Sequence, residues 1–201
     1  LVHVDAVQGF GKVPVNFGVL GCDLMTVAAH KVGGPVGIGA LIIRDGLVVE
    51  PLLNGGGQEL RRRAGTENLA GAAGWAAVAK ESAIDTKALR DELDSSLEGA
   101  VILGKGTERL PNTTCFAMPG FRAETLLMNF DLAGIAVSSG SACSSGKVGR
   151  SHVLDAMGVA PELAGSAIRV SLGWTSTAAD VRHFVTVWKQ LVARHRARQA
   201  A

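Results

Sequence analysis

The sequence predicts an α/β protein, and three observations carry that prediction. Over roughly the first eighty residues, short apolar runs alternate with glycine-rich turns. Beyond them the pattern changes to amphipathic helices interleaved with isolated strand-like runs. The composition, 47% hydrophobic and 19% charged over 201 residues, is that of a globular chain with ample material for a buried core. The order reads as the tail of one α/β domain, residues 1–84, followed by a smaller α+β domain, residues 85–201. The boundary falls where the pattern changes, at residues 83–86.

Each element follows from local signals. Residues 1–4 read as a strand ending at Asp5, and residues 23–28 as a second strand. Residues 37–43 and 47–51 flank Arg44-Asp45-Gly46, and Asp-Gly tolerates the positive φ of a tight turn, so a hairpin is expected there. Gly55-Gly56-Gly57 is a loop. Thr66 is a suitable helix N-cap, and the alanine-rich run 67–82 is expected to follow it as a helix. Leu89, Leu93 and Leu97 mark one face of a helix over 87–97. Residues 113–118 read as a strand, 123–132 as a helix stopped by Gly134, 151–157 as a short helix stopped by Gly158, and 167–172 as a strand. Thr177 and Asp180 are spaced as a capping box, and Val181, Phe184, Val185, Trp188, Leu191 and Val192 follow it at helical spacing.

Several classes of function are disfavoured. A net charge of +2 gives no reason to expect nucleic acid or an anionic membrane as the main partner. No apolar run approaches the ~18 residues of a membrane span. No signal peptide is visible, and because the chain opens on Leu1 without a methionine, further sequence upstream is expected. Cys22, Cys115 and Cys143 are odd in number and lack a CxxC pair, which points away from zinc and disulfides and toward a reducing cytoplasm. His3, His30, His152, His183 and His195 show no metal-ligand spacing. The run from Gly140 to Lys147 is not a phosphate loop, because five residues separate its glycines and Val148 follows the lysine. Gly9-Phe10-Gly11 has Pro14 where a dinucleotide fingerprint needs its third glycine.

Four segments suit specific chemistry. Asp5 ends a buried strand, where α/β folds place ligands, and Gln8 follows it. A carboxylate there can keep a pyridine nitrogen protonated. Lys31, in Ala29-His30-Lys31-Val32-Gly33-Gly34-Pro35, sits just after a strand on a stiff turn, where partial desolvation would free its amine for imine formation. Thr66 precedes a helix start whose free amides favour an anion. Cys143 lies in Ser138-Ser-Gly-Ser-Ala-Cys-Ser-Ser-Gly146, small and polar surroundings that suit a thiol moving to a substrate and away.

Taken in order, these segments resemble the cysteine desulfurases, class V members of the fold-type-I pyridoxal-phosphate enzymes. The likeness runs from Leu1 to the last helix and includes Arg169 in Ala167-Ile-Arg-Val-Ser-Leu-Gly173. The resemblance implies the C-terminal part of a pyridoxal-phosphate-dependent transferase large domain (fold type I), followed by the small domain. It implies that Asp5 pairs with the pyridine nitrogen and Gln8 with the phenolic oxygen of pyridoxal 5'-phosphate. Lys31 would carry the cofactor as an imine and move the α-proton, with His30 beside it helping to hold the phosphate. Thr66 would reach the phosphate of the other subunit in a homodimer, and Arg169 would grip the substrate carboxylate. Cys143 would take sulfur from L-cysteine as a persulfide, release alanine and serve an iron–sulfur scaffold or tRNA-thiolation protein. A selenocysteine lyase, another class V lyase or aminotransferase, and a non-catalytic interaction module are the alternatives; a transaminase has no use for the Cys143 thiol.

Two positions depart from the family pattern. Ala28 stands where a phosphate-binding serine is usual, and Val36 where the turn commonly carries lysine. Losing that hydroxyl is expected to weaken cofactor retention by ~1–3 kcal/mol. The family also has an N-terminal half that this chain does not include, with a group that stacks on the cofactor ring.

Overall fold

The computed structural model describes residues 1–81, 86–139 and 151–200. They form two compact units, Leu1–Ile84 and Asp85–Ala201.

The first unit contains β1 (His3–Asp5), α1 (Phe17–Leu20), β2 (Leu24–Ala28), a single 3₁₀ turn (Ala29–Val32), β3 (Gly39–Ile43), a second 3₁₀ turn (Gln58–Arg61) and α2 (Leu69–Lys80). Its sheet has the order β1-β2-β3. β1 and β2 are parallel with Asp5 opposite Thr26, whereas β2 and β3 are antiparallel with Ala28 opposite Gly39. Alternation along β2 buries Met25 and Val27, which pack with Ala6 and Cys22. Phe10 and Trp75 close this small core, edge to face at 6.0 Å.

Two expectations fail here. Residues 47–51 form no strand, so the Asp45-Gly46 turn closes no hairpin. The turn is instead tied back by Arg44, whose amide and Nε donate to Asp23 at 2.9 and 2.7 Å, and beyond it Val48 is 89% exposed. Without a face on which to bury its alternate side chains, that run has nothing to hold it in a ladder. The second correction concerns α2, which starts after Asn68 rather than Thr66. The Asn68 Oδ1 accepts from the Gly71 amide at 2.9 Å, and that bond fixes the helix start.

The second unit contains α3 (Lys87–Ser96), β4 (Val101–Ile102), β5 (Thr113–Ala117), α4 (Ala123–Leu132), β6 (Ser138–Ser139), α5 (His152–Ala156), α6 (Pro161–Ala164), β7 (Ile168–Ser171) and α7 (Ala178–Gln199). The strands form an antiparallel sheet of order β4-β5-β7-β6. Period-two alternation sorts its side chains between the two faces. Phe116, Ile168 and Val170 join Leu93, Leu126, Phe130, Phe184, Trp188 and Leu191 in the main core with α3, α4 and α7. Cys115, Ala117 and Ala167 pack on the other face with Leu154 and Leu163 from α5 and α6. Phe116 meets the Trp188 ring at 5.1 Å and Phe130 stacks on Phe184 at 4.6 Å. The Trp188 indole donates to the Glu98 carbonyl at 3.3 Å, so its one polar atom is buried with a partner. The Thr177–Asp180 capping box forms as the spacing predicts.

Among the described residues, no helix is long and apolar enough to cross a membrane, and no group of three or more metal-ligating side chains is present.

Candidate active site

Because β1 and β2 are parallel, their carboxyl ends lie at the same edge of the first sheet. Asp5 ends β1, and the 3₁₀ turn bearing His30 and Lys31 follows β2 directly. The Asp5 Oδ1 accepts from the Val7 amide at 3.0 Å, which anchors the carboxylate at the strand end. The chain then makes a helical turn in which the Phe10 amide bonds the Ala6 carbonyl at 2.8 Å and the Val13 amide the Gly9 carbonyl at 3.0 Å. Gln8 and Lys12 are carried on this turn. Gly11 lies within it at φ +72°, and a β-carbon there would come within 2.6 Å of the Val32 side chain. The turn after β1 is thus seated against the residue next to Lys31.

The lysine turn is tightly built. Gly33, at φ 86°, and Gly34 both donate their amides to the Ala29 carbonyl. A β-carbon at position 34 would lie 2.9 Å from the Ala29 side chain and 3.0 Å from its carbonyl oxygen, so only glycine fits. Ala29 itself is fully buried. The Gly33-Gly34 pair therefore fixes the backbone that carries Lys31, while α2 packs on the next segment by setting Gly74 against Pro35. The desolvation expected at Lys31 is not supplied by this unit: Asp5, Gln8, His30 and Lys31 are all exposed. At Ala28 the 3₁₀ turn has no side-chain cap, which is the direct result of alanine at that position, and Val36 is 86% exposed.

The unit therefore brings Asp5, Gln8, His30 and Lys31 to one sheet edge. Thr66 is exposed ahead of α2, its carbonyl accepting from Arg63 Nη1 at 3.5 Å. It is not the cap of that helix.

In the second unit Arg169 stands on β7 opposite Cys115 of β5, on the face covered by α5 and α6. The two line a cavity of about 410 Å³ with Arg109, Ser151, Leu154 and Met157. Arg109 is committed, since its Nη2 donates to Asp94 Oδ2 at 2.6 Å and its Nη1 to Thr114 Oγ1 at 3.4 Å. Burial pushes the Cys115 thiol above its ordinary pKa, with the Arg169 guanidinium acting in the opposite direction. Cys22 is buried in the core of the first unit. Cys143 lies outside the described residues.

Sequence reasoning passed over Lys12 and the Cys115–Arg169 cavity. A signal for Lys12 was present in its spacing, four residues after Gln8, which places both on one side of a helical turn. The cavity is formed by strands distant in sequence, and no local pattern announces it.

The profile of the family described as aminotransferase class-V matches residues 1–184, and the chain belongs to that family. Within it the similarity is to cysteine desulfurases. The cysteine desulfurase IscS of Dictyoglomus turgidum is 39% identical over 96% of this chain and 52% of its own length. The crystal structure of a NifS-like protein from Rickettsia africae is 38% identical, with a TM-score of 0.83, over 95% of this chain and 53% of that one. A structure described as SspA in complex with cysteine is 29% identical, with a TM-score of 0.69, over 87% of this chain and 51% of that one. The chain spans about half the length of the relatives it matches.

Proposed function

We propose that the chain is part of a pyridoxal-phosphate-dependent cysteine desulfurase that converts L-cysteine to L-alanine and receives the sulfur as a persulfide on Cys143. The observation that carries this reading is the pairing of Asp5 and Lys31 at the carboxyl ends of adjacent parallel strands, in a chain 39% identical to a named cysteine desulfurase. Residues 1–84 then belong to the large, cofactor-binding domain and residues 85–201 to the small domain.

The donor set fits the cofactor. A carboxylate, a carboxamide, an imidazole and a primary amine at one edge match a ring nitrogen, a phenolic oxygen, a phosphate and an aldehyde. When bound, pyridoxal phosphate supplies an electron sink for the carbon that loses its proton. Asp5 holds a proton on the ring nitrogen, and its bond from the Val7 amide keeps it oriented for that role. Lys31 supplies the amine that attaches the cofactor and moves the α-proton, on a turn that Gly34 keeps stiff. Gln8 donates to the phenolic oxygen, and His30, next to Lys31, supports the phosphate. Arg169 pairs with the substrate carboxylate, for which the planar guanidinium is suited. Thr66 serves the phosphate of a second subunit in a homodimer. The SspA structure with cysteine supports cysteine as the substrate class. The sulfur acceptor is an iron–sulfur scaffold or tRNA-thiolation protein, in the cytoplasm.

The test is Cys143→Ser in the full-length protein, set beside Cys22→Ser and Cys115→Ser. A hydroxyl is scarcely ionised near neutrality, whereas about a few per cent of a thiol is thiolate. Cys143→Ser is expected to keep the spectral response to cysteine while losing persulfide labelling and alanine release. The other two variants retain both. Alanine production by Cys143→Ser at the wild-type rate would sink the desulfurase reading in favour of a β-lyase.

A further inference from the structure

Lys12 has no part in the chemistry set out above, yet it is placed among the residues that have one. It is half-buried, and its Nζ donates to Gln8 Oε1 at 2.8 Å. Its pKa is lowered from the ordinary lysine value, first by burial and then by the positive charge of Lys31. The charged neighbour acting on Lys12 is thus a second cation rather than a carboxylate. The turn that carries it is held against Val32 by the close approach at Gly11. Lys12 is therefore kept near Lys31 by the backbone, at the expense of its own charged form.

The chemistry of the pair explains what this achieves. An ammonium has three N–H donors and no acceptor, so the atom of Gln8 facing it must be the carbonyl oxygen. The oxygen and the nitrogen of a carboxamide lie on separate branches of one planar carbon, the first an acceptor and the second a donor. With Oε1 held by Lys12, the other branch carries Nε2 as the donor. An unrestrained glutamine can turn over and present either end.

We propose that Lys12 is a positioning residue that fixes the side-chain amide of Gln8, so that Nε2 is presented as a hydrogen-bond donor to the phenolic oxygen of pyridoxal phosphate. A carboxamide turned the other way would set its carbonyl oxygen against an oxygen that carries negative charge. The inference rests on the cofactor reading above and adds to it the group that selects the amide orientation.

The test uses the full-length protein with Lys12→Met, which keeps the apolar stem, Lys12→Arg, which restores donors, Gln8→Leu, and Lys12→Met combined with Gln8→Leu. The first measurement needs no cofactor. By NMR, the Gln8 side-chain amide signals are expected to move with pH through the same midpoint as the ε-carbon of Lys12, and to lose that movement in Lys12→Met. The second uses pyridoxal phosphate. Lys12→Met is expected to weaken its binding by about two- to tenfold, the range of one hydrogen bond. It should also raise the pH midpoint of the visible absorption band, because the phenolate loses a donor; Lys12→Arg restores both. In the Gln8→Leu background, Lys12→Met is expected to change neither. Gln8 signals blind to the Lys12 titration, or an equal effect of Lys12→Met with and without Gln8, would overturn the role of Lys12. Wild-type protein that never attaches pyridoxal phosphate to Lys31 would instead overturn the cofactor reading, and the task of the Gln8 amide with it.

Discussion

Within this chain the two units bury very different amounts of apolar side chain. The second buries Trp188, Phe116, Phe130, Leu126 and Ile168 completely between a four-stranded sheet and its helices. Among the described residues, the buried cluster of the first is Ala6, Cys22, Met25 and Val27, beside a sheet of three short strands. Val19, Val36, Val48, Leu52 and Leu60 of that unit are each more than 80% exposed. A three-stranded sheet with so small a core has little hydrophobic stabilisation of its own. Yet this thinly packed unit carries Asp5, Gln8, His30 and Lys31, and its order at that edge comes from backbone devices. These are the parallel pairing, the bond from Val7 to Asp5, and the Gly33-Gly34 amides on Ala29. Local hydrogen bonding can define the geometry of a sheet edge where packing contributes little, and the desolvation that the role proposed for Lys31 requires is not supplied by this unit.

The largest expected effect tests where the chemistry resides. Lys31→Ala in the full-length protein should abolish borohydride-trappable pyridoxyl, since the tight turn sets the Lys31 amine at that edge while the neighbouring Lys12 amine is engaged by Gln8. Peptide mass mapping checks it, and a pyridoxyl group recovered on another lysine would show that Lys31 is not the residue that attaches the cofactor.

A middle-sized effect tests the packing contrast. Trp188→Ala should destabilise the second unit by about 3–5 kcal/mol, the range for a large aromatic removed from a close-packed core. Met25→Ala in the first unit should fall at or below the low end of about 2–5 kcal/mol, because an open sheet can relax around the gap. Hydrogen exchange followed residue by residue separates the two, and equal losses in both units would erase the contrast.

The smallest effect concerns the missing hydroxyl. Ala28→Ser should tighten retention of pyridoxal phosphate by ~1–3 kcal/mol, by placing a donor at the uncapped start of the lysine turn. The measurement is the dissociation constant from cofactor titration, and an unchanged value would mean that position 28 does not face the phosphate.

How much of this was legible in the sequence depends on the range of the forces involved. The helix over Ala123–Leu132 and the capping box at Thr177 emerged as expected, because periodicity and capping are local and were written in adjacent residues. The hairpin at Asp45-Gly46 failed because a turn signal cannot say whether the following run finds a face to pack on. The cap at Thr66 was misplaced by two residues, since Thr66 and Asn68 are both good caps and only the bond to Gly71 decides between them. β4 and β6, two residues each, are defined by pairing across the sheet and have no pattern of their own. For the candidate site, the motifs single out Asp5, Gln8, His30 and Lys31, which the structure sets at one sheet edge, and the related desulfurases lie in the family those motifs suggest. What Gln8 itself touches was not readable, because the partner that orients it belongs to no motif.

The placement of Trp188 in the second core, with Trp75 in the first unit and Trp174 68% exposed, has a spectroscopic consequence. The chain contains no tyrosine, so its intrinsic ultraviolet emission comes from three indoles alone. Trp188, sealed from water, emits at the blue end, and Trp174, in solvent, at the red end. Trp75, edge-on to Phe10 beside the turn that bears Lys12, is the fluorophore nearest that turn among the three. With Trp174 and Trp188 replaced by phenylalanine, the remaining emission becomes a private optical channel for the first unit.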